Sequence, residues 1–253
     1  MNFQKYSAYY DLLYADKDYA AEAGYVAKSL RTANPEVCTI LELGSGTGRH
    51  GRLLAGMGFD VSGIERSSEM AAIAQSCTEN VRGGGTFACE VGDLREVRLG
   101  RTFNAVVSLF HVISYQTTDD DLRAAFSTAA EHLKKGGLFL FDVWHGPAVL
   151  ATEPSIRRKE AAKGRYRVSR VAYPERHVTA NTVKVVYSLD CEDTESGERA
   201  QFREEHVMRY LFPEEVDQLG SQAGFALVST EEFLTGRPPS EETWGVAYLL
   251  KKK

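Results

Sequence analysis

No apolar run in the 253 residues approaches the roughly 18 needed for a membrane-spanning helix. The opening residues, MNFQKYSAYYDLLY, also lack the apolar core of a secretory signal. Cysteine is scarce. Cys38, Cys77, Cys89 and Cys191 stand far apart with no C-x-x-C pair, so neither a zinc site nor a disulfide framework is indicated. Three of the four sit in apolar or helical contexts and are expected to be buried thiols. No basic tail extends beyond Lys251 to Lys253, and the formal net charge is −5, which argues against a sequence-independent nucleic-acid binder. A cytoplasmic protein follows, with no metal, no nucleic acid and no membrane.

What is present is a regular alternation of strands and helices. The spacing predicts a helix over 20–30, then strand 37–43, helix 49–57, strand 59–65, helix 68–78, strands 86–91 and 103–109, helix 119–135 and strand 137–143. Such alternation means a parallel sheet with helices on both faces. Thr118 and Asp119 to Asp121 give the helix at 119 its start signal, and Lys134-Lys135-Gly136-Gly137 its stop. From about 155 to 211 the helical period disappears. Pro174-Glu175-Arg176 and Thr194 to Glu198 read as turns joining three strands of an antiparallel meander. A helix from Pro213 to about 223 and strands 225–231 and 243–250 close the chain.

The chemistry is concentrated at the first strand. Residues 37–48 read VCTILELGSGTG, a strand ending at Glu42 and Leu43 that feeds glycines at alternate positions, Gly44, Gly46 and Gly48. Glycine tolerates positive φ and has no Cβ, so such a turn folds tightly beneath a ligand and presents the N–H groups of the next helix to it. About twenty residues on, FDVSGIER closes a second strand on Glu65, placed to accept both hydroxyls of a ribose. The pair predicts a nucleoside cofactor. Gly46-Thr47-Gly48-Arg49-His50-Gly51 also satisfies the G-x-G-x-x-G pattern of dinucleotide enzymes, but that frame starts late and ignores Gly44.

The frame E-L-G-S-G-T-G uses every glycine and resembles the first motif of the class I S-adenosylmethionine (SAM) dependent methyltransferases. The resemblance implies a Rossmann-like α/β fold: a seven-stranded, mostly parallel sheet with its last strand antiparallel, plus the antiparallel β insertion between strand 5 and the last helix. It divides the chain into an N-terminal helical lid (1–34), a SAM-binding core (35–152), the insertion (153–211) and a C-terminal completion of the core (212–253). It assigns the cofactor to Tyr14, Tyr19, Glu42, Gly44, Ser45, Gly46, Gly48, Glu65, Arg66, Met70, Gly92, Asp93, Leu94, Leu109 and Phe110, with Asp93 at the adenine amino group.

The segments YYDLLY, KDYAAEA, LELGSGTGRH and VVSLF leading to Ser114-Tyr115 narrow the resemblance to the N,N-dimethyltransferases of nucleotide-linked amino deoxysugars. That group implies Tyr14 and Tyr19 over the methionine part of the cofactor, Tyr115 facing the acceptor, and an insertion used for the sugar nucleotide and for homodimer contacts. The chain departs from it at Phe141 to Pro147. The acceptor implied is a small molecule; O-methylation or glycine-type N-methylation of another small metabolite, a catalytically inactive SAM-binding partner protein and an NAD-dependent dehydrogenase stay open as alternatives.

Methyl transfer from a sulfonium is an in-line displacement, to which a general base contributes when the acceptor is an ammonium or a hydroxyl. His111, directly after the fourth strand, and His145, after the fifth, are the candidates. Tyr14 joins them and Tyr115 as a residue expected at the reacting centre. His50, His132, His177 and His206 read as surface or packing residues. Tyr6, Tyr9, Tyr10, Tyr14 and Tyr19 are either an aromatic anchor or a lid. The basic bias of 157–176, with Arg165, Arg167 and Arg170 among it, reads either as a diphosphate grip or as a solvated strand face.

Overall fold

The computed structural model describes residues 9–77 and 84–253, so Tyr6 and the predicted helix end at 78 lie outside the described residues. Short β-branched and apolar runs form five parallel strands: β1 (Thr39–Leu43), β2 (Asp60–Glu65), β3 (Thr86–Val91), β4 (Phe103–Ser108) and β5 (Leu133–His145). Between them lie α1 (Tyr19–Ala33, ahead of β1), α2 (Arg49–Gly56), α3 (Ser68–Ser76) and α4 (Asp119–Glu131). The strand order is β3-β2-β1-β4-β5. Beyond β5, β11 (Gly245–Lys252) pairs antiparallel and carries β10 (Phe225–Glu232) on its far side. The mostly parallel α/β core expected from sequence is thus formed, with β11 reversed. Alternate residues face opposite layers: Phe139 and Phe141 meet Phe126 edge-on from one side, while Leu138 and Leu140 join the layer of Leu30, Ile40 and Phe59.

The insertion departs from expectation in three ways. It has four strands, β6 (Arg157–Lys163), β7 (Tyr166–His177), β8 (Thr182–Asp193) and β9 (Arg199–Leu211). Strand β6, RRKEAAK, has little intrinsic strand preference and is held extended by its full register with β7. Pro174-Glu175-Arg176 is not a turn but part of β7. It runs past Ala172, where β6 ends, so β7 is an edge strand there and tolerates a residue without an N–H. The actual turn uses Val178–Ala180 and a left-handed Asn181. Finally, Tyr210 and Leu211 of β9 pair in parallel with Trp144 and His145 of β5, so the meander continues the core sheet instead of standing apart.

Two further differences are local. Helix α4 starts as expected, with the Asp121 N–H donating to Thr118 Oγ1 at 3.1 Å, but ends at Glu131, not at the lysine pair. His132 terminates it: the imidazole sits 2.8 Å from Thr128 O and accepts the Leu99 N–H at 2.9 Å, which frees Lys134 and Lys135 to enter β5. A short helix, α5 (Gly146–Ala151), precedes the meander, and α6 (Pro213–Gln222) follows it. Of the cysteines, Cys89 and Cys191 are buried, Cys77 is half-buried and Cys38 is exposed, one fewer buried thiol than expected.

Candidate active site

The carboxyl ends of β1 to β5 surround a cavity of about 430 Å³, where an open α/β sheet binds its ligands. Its floor is the glycine turn. Gly44 adopts φ 79° with its N–H on Ile64 O at 2.8 Å, and a Cβ there would stand 2.5 Å from Val112 Cγ1. At Gly46, φ 56°, a Cβ would meet nothing within 4 Å because the position opens onto the cavity. Glu65 accepts the N–H groups of Gly46 and Ser67, both at 2.8 Å, so the end of β2 and the turn after β1 are one unit. Burial raises the Glu65 carboxyl against those hydrogen bonds.

Apolar Ile64, Met70 and Leu94 line the cavity beside Glu65. Asp93, also at its wall, is gripped by Arg95 Nε at 2.9 Å and Nη2 at 2.6 Å, and these bonds hold its carboxyl below the usual range. Arg66 Nη1 is 3.9 Å from the same carboxylate. Ser45, Gly92, Leu109 and Phe110 line the space as well. A glycine floor open to a ligand, a carboxylate at the end of β2, an apolar strip and a second carboxylate at the end of β3 fit the amino acid, ribose and adenine parts of SAM.

Three expected site residues stand outside the cavity. Glu42 is 1 % exposed beneath the turn, where it accepts Ser45 Oγ–H at 2.8 Å and burial raises its carboxyl; its position is that of a brace for the turn. Gly48 caps α2 at φ 75° and exists for packing, since a Cβ would stand 2.7 Å from the Phe87 ring. His145 is buried between β5 and α5, its backbone N–H on Trp244 O at 2.9 Å, so the end of the strand carries it away from the cavity. Gly51, the last glycine of the dinucleotide frame, is packed inside α2, where a Cβ would stand 2.3 Å from Phe87.

His111 lines the cavity. Phe110 and His111 are consecutive non-glycine residues at φ 63° and 62°. Such positions cost on the order of 1–3 kcal/mol each and persist only where surroundings over-determine them. Here Asp142 of β5, 1 % exposed, supplies the constraint: Oδ2 accepts the His111 backbone N–H at 3.1 Å and lies 2.7 Å from Nδ1 of the ring. Burial opposes ionisation of Asp142, yet the charge and hydrogen bonds of His111 prevail and hold its carboxyl below the usual range. Asp142 is the single charged residue of the apolar run 138–144, but no local spacing ties it to His111, 31 residues earlier.

The far wall comes from the meander and the N-terminal segment. Tyr115 OH is 2.8 Å from His206 Nδ1, and the His206 ring packs 4.8 Å from that of Tyr187. Arg170 lies over the Tyr187 ring at 4.5 Å and donates from Nη1 to Tyr14 OH at 2.9 Å, while Tyr14 stands edge-on to Phe110 at 5.2 Å. Residues 9–13 are helical, and buried Leu13 docks on Val168, Leu189 and Cys191 of the meander. Thr47 Oγ1–H on Asp11 at 2.9 Å ties the same segment to the glycine turn. Tyr19 packs 4.9 Å from His50, whose Nε2 is 2.7 Å from Glu22. His50 and His206, read from sequence as packing or surface residues, therefore both line the cavity. Arg165 does not: it pairs with Asp193 at 3.1 Å.

Burial, reinforced by the charge of Arg170, pulls His206 down to about 4. The unfolded chain, near the free value of about 6.5, takes up this proton first as pH falls. Stability from His206 is therefore complete above about pH 6.5 and is lost as pH falls toward 4, up to about 3 kcal/mol. Melting temperatures of the wild type should drop over that interval and those of His206→Gln should drop less; parallel curves would refute the assignment.

Comparison with known proteins agrees with this geometry. Residues 40–137 match a family model described as a methyltransferase domain, and fold and cavity together define a SAM-dependent methyltransferase. The chain is 32% identical over 234 residues, 90% of its length and 92% of the relative's, to the dTDP-3-amino-3,4,6-trideoxy-alpha-D-glucopyranose N,N-dimethyltransferase of Streptomyces venezuelae. Among solved structures it superposes on Streptomyces venezuelae DesVI with a TM-score of 0.83 at 27% identity, covering 98% of both chains. SAM-bound CalS10, an amino pentose methyltransferase from Micromonospora echinaspora, gives a TM-score of 0.78 at 26% identity, covering 100% of this chain and 98% of the other. The chain belongs to the family of SAM-dependent methyltransferases that contains these sugar N-methylating enzymes.

Proposed function

We propose that the protein N-methylates the amino group of a nucleotide-linked amino sugar, with His111 as general base. The observation that carries this reading is the group Tyr14, Tyr115, Tyr187 and His206, which lines the same cavity as the glycine turn and His111. Aromatic faces with hydroxyl tips suit a polar ring and an amine. SAM, when bound, supplies a methyl group on a sulfonium; the acceptor lone pair forms the C–N bond as the C–S bond breaks with its electron pair onto sulfur. Glu65, Asp93 and the Gly44–Gly46 turn hold the donor, the tyrosines exclude water and fix the acceptor, and His111 takes the proton that the amine must shed. Positioning of this kind is worth up to about 7–11 kcal/mol, and the chemistry needs no metal.

The N-terminal segment acts as the lid of this site, with Tyr14 as its contact to both Phe110 and Arg170. Tyr14→Phe should slow turnover or raise the Michaelis constant for SAM several-fold; wild-type kinetics would remove the lid role. A homodimer and a cytoplasmic setting complete the reading. Among the described residues strand β6 leaves one sheet edge open, and no helix is long and apolar enough to cross a membrane.

The test is a mass-shift assay with SAM and a panel of dTDP-linked 3-amino and 4-amino sugars beside their hydroxyl analogues. Addition of 14 or 28 Da, about one or two methyl groups by general chemistry, is expected on the amino sugars alone. Methylation of the hydroxyl analogues, or of none, overturns the acceptor assignment. Calorimetry should detect S-adenosylhomocysteine and not NAD.

A further inference from the structure

Asp142 is a buried carboxylate whose contacts among the described residues go to His111 alone. Its side chain is 1 % exposed, yet Oδ1 has no hydrogen-bond partner among the described residues. A carboxylate retained for packing satisfies both oxygens, because an orphaned buried acceptor forfeits its hydration without return. Both contacts made by Oδ2 instead go to a single residue, His111: the backbone N–H at 3.1 Å and Nδ1 at 2.7 Å. The ring is half-buried, with aromatic neighbours packed against it. Its centroid is 5.8 Å from that of Phe110 and 6.2 Å from that of Trp144, and a Cβ on Gly245 would stand 3.4 Å from Cε1. Among the described residues, Asp142 is the carboxylate that the imidazole meets.

An imidazole can serve as a base only through the nitrogen that lacks a proton, and the hydrogen bond made by the other nitrogen decides which that is. A carboxylate accepts and never donates, so Asp142 beside Nδ1 requires the proton there. Nε2 is left as the proton acceptor on a residue that lines the cavity.

Resting on the reading of His111 as the base, we infer that Asp142 is the positioning residue of an Asp142–His111 pair: it fixes the Nδ1–H tautomer, aims the ring from the β5 strand end, and balances the imidazolium formed when Nε2 takes the proton of the acceptor amine. The Nδ1 approach is short but off-line for a straight hydrogen bond, and catalytic hydrogen bonds are often poorly aligned before substrate binds. The same carboxylate holds the left-handed backbone at His111, so one buried group determines where the base sits and which nitrogen it offers. His50 and Tyr25, the other titratable groups that sense the Asp142 charge, belong to α2 and α1.

The test combines nitrogen-15 NMR of the His111 ring with kinetics on a dTDP-linked 3-amino sugar. The wild type should show the Nδ1–H tautomer at neutral pH. Asp142→Ala should shift it to Nε2–H and lower kcat at least tenfold, with S-adenosylhomocysteine affinity unchanged by calorimetry. Asp142→Asn keeps an acceptor oxygen without the charge and should restore the tautomer and part of the rate. An Nε2–H tautomer in the wild type overturns the inference and needs no variant, so it holds even where Asp142→Ala fails to fold. Wild-type kcat in Asp142→Ala with a slow His111→Asn sinks the pair alone; wild-type kcat in His111→Asn sinks the base reading beneath it.

Discussion

Replacement of His111 by asparagine should lower kcat by about 10²–10⁴, the range a positioned general base supplies. Each decade corresponds to about 1.4 kcal/mol of transition-state stabilisation. Asparagine is the informative choice because, unlike most residues, it accepts the left-handed backbone found at φ 62°. The variant therefore keeps the loop after β4 and removes only the imidazole. The Michaelis constants and the affinity for S-adenosylhomocysteine should stay within about twofold, since a base acts in the transition state and not in ground-state binding. A kcat close to that of the wild type would mean that the acceptor arrives neutral and that proximity alone carries the reaction.

The second large effect is expected at Glu65. Its carboxylate stands at the end of β2, where two ribose hydroxyls would each donate a charge-assisted hydrogen bond worth about 1.5–3 kcal/mol. Glu65→Ala should weaken S-adenosylhomocysteine binding by about 10²–10⁴ in calorimetry. Glu65→Gln, which preserves size and one acceptor, should lose about tenfold. Part of the alanine effect comes from releasing the N–H groups of Gly46 and Ser67, so the two variants together separate ribose recognition from loop order. Equal affinities in all three proteins would remove Glu65 from the cofactor site.

These two residues differ in how they could be found. Glu65 was legible because strand periodicity and a glycine turn fix its place about twenty residues downstream, and that spacing is a local property of a strand-turn-helix-strand unit. His111 was legible as a residue leaving a strand, but the signal did not separate it from His145, which leaves the next strand in the same way. The structure separates them. After β4 the chain turns left-handed and brings His111 to the cavity, whereas β5 runs on through His145 into α5 and buries it. Glu42 and Gly48 were assigned to the cofactor from their motif, and the fold uses them as brace and packing space.

The meander side of the cavity was least legible. Tyr187 and His206 are 19 residues apart on neighbouring strands, and Tyr115 is 91 residues from the histidine it meets. No periodicity encodes such a meeting. The four-stranded meander was also undercounted, because β6 owes its extended form to pairing with β7 and carries no strand-forming composition of its own.

The amino-acid order alone determined the alternating core, the glycine turn, the carboxylates ending β2 and β3, and with them the class of donor. These features are short-range: each is set by side-chain size, hydrophobic period and backbone freedom within one structural unit. Tertiary packing decided which histidine reaches the cavity, which buried aspartate stands behind it, and which tyrosines line it. Those outcomes depend on strand ends and register shared between segments far apart in the chain, and register is a property of the assembled sheet.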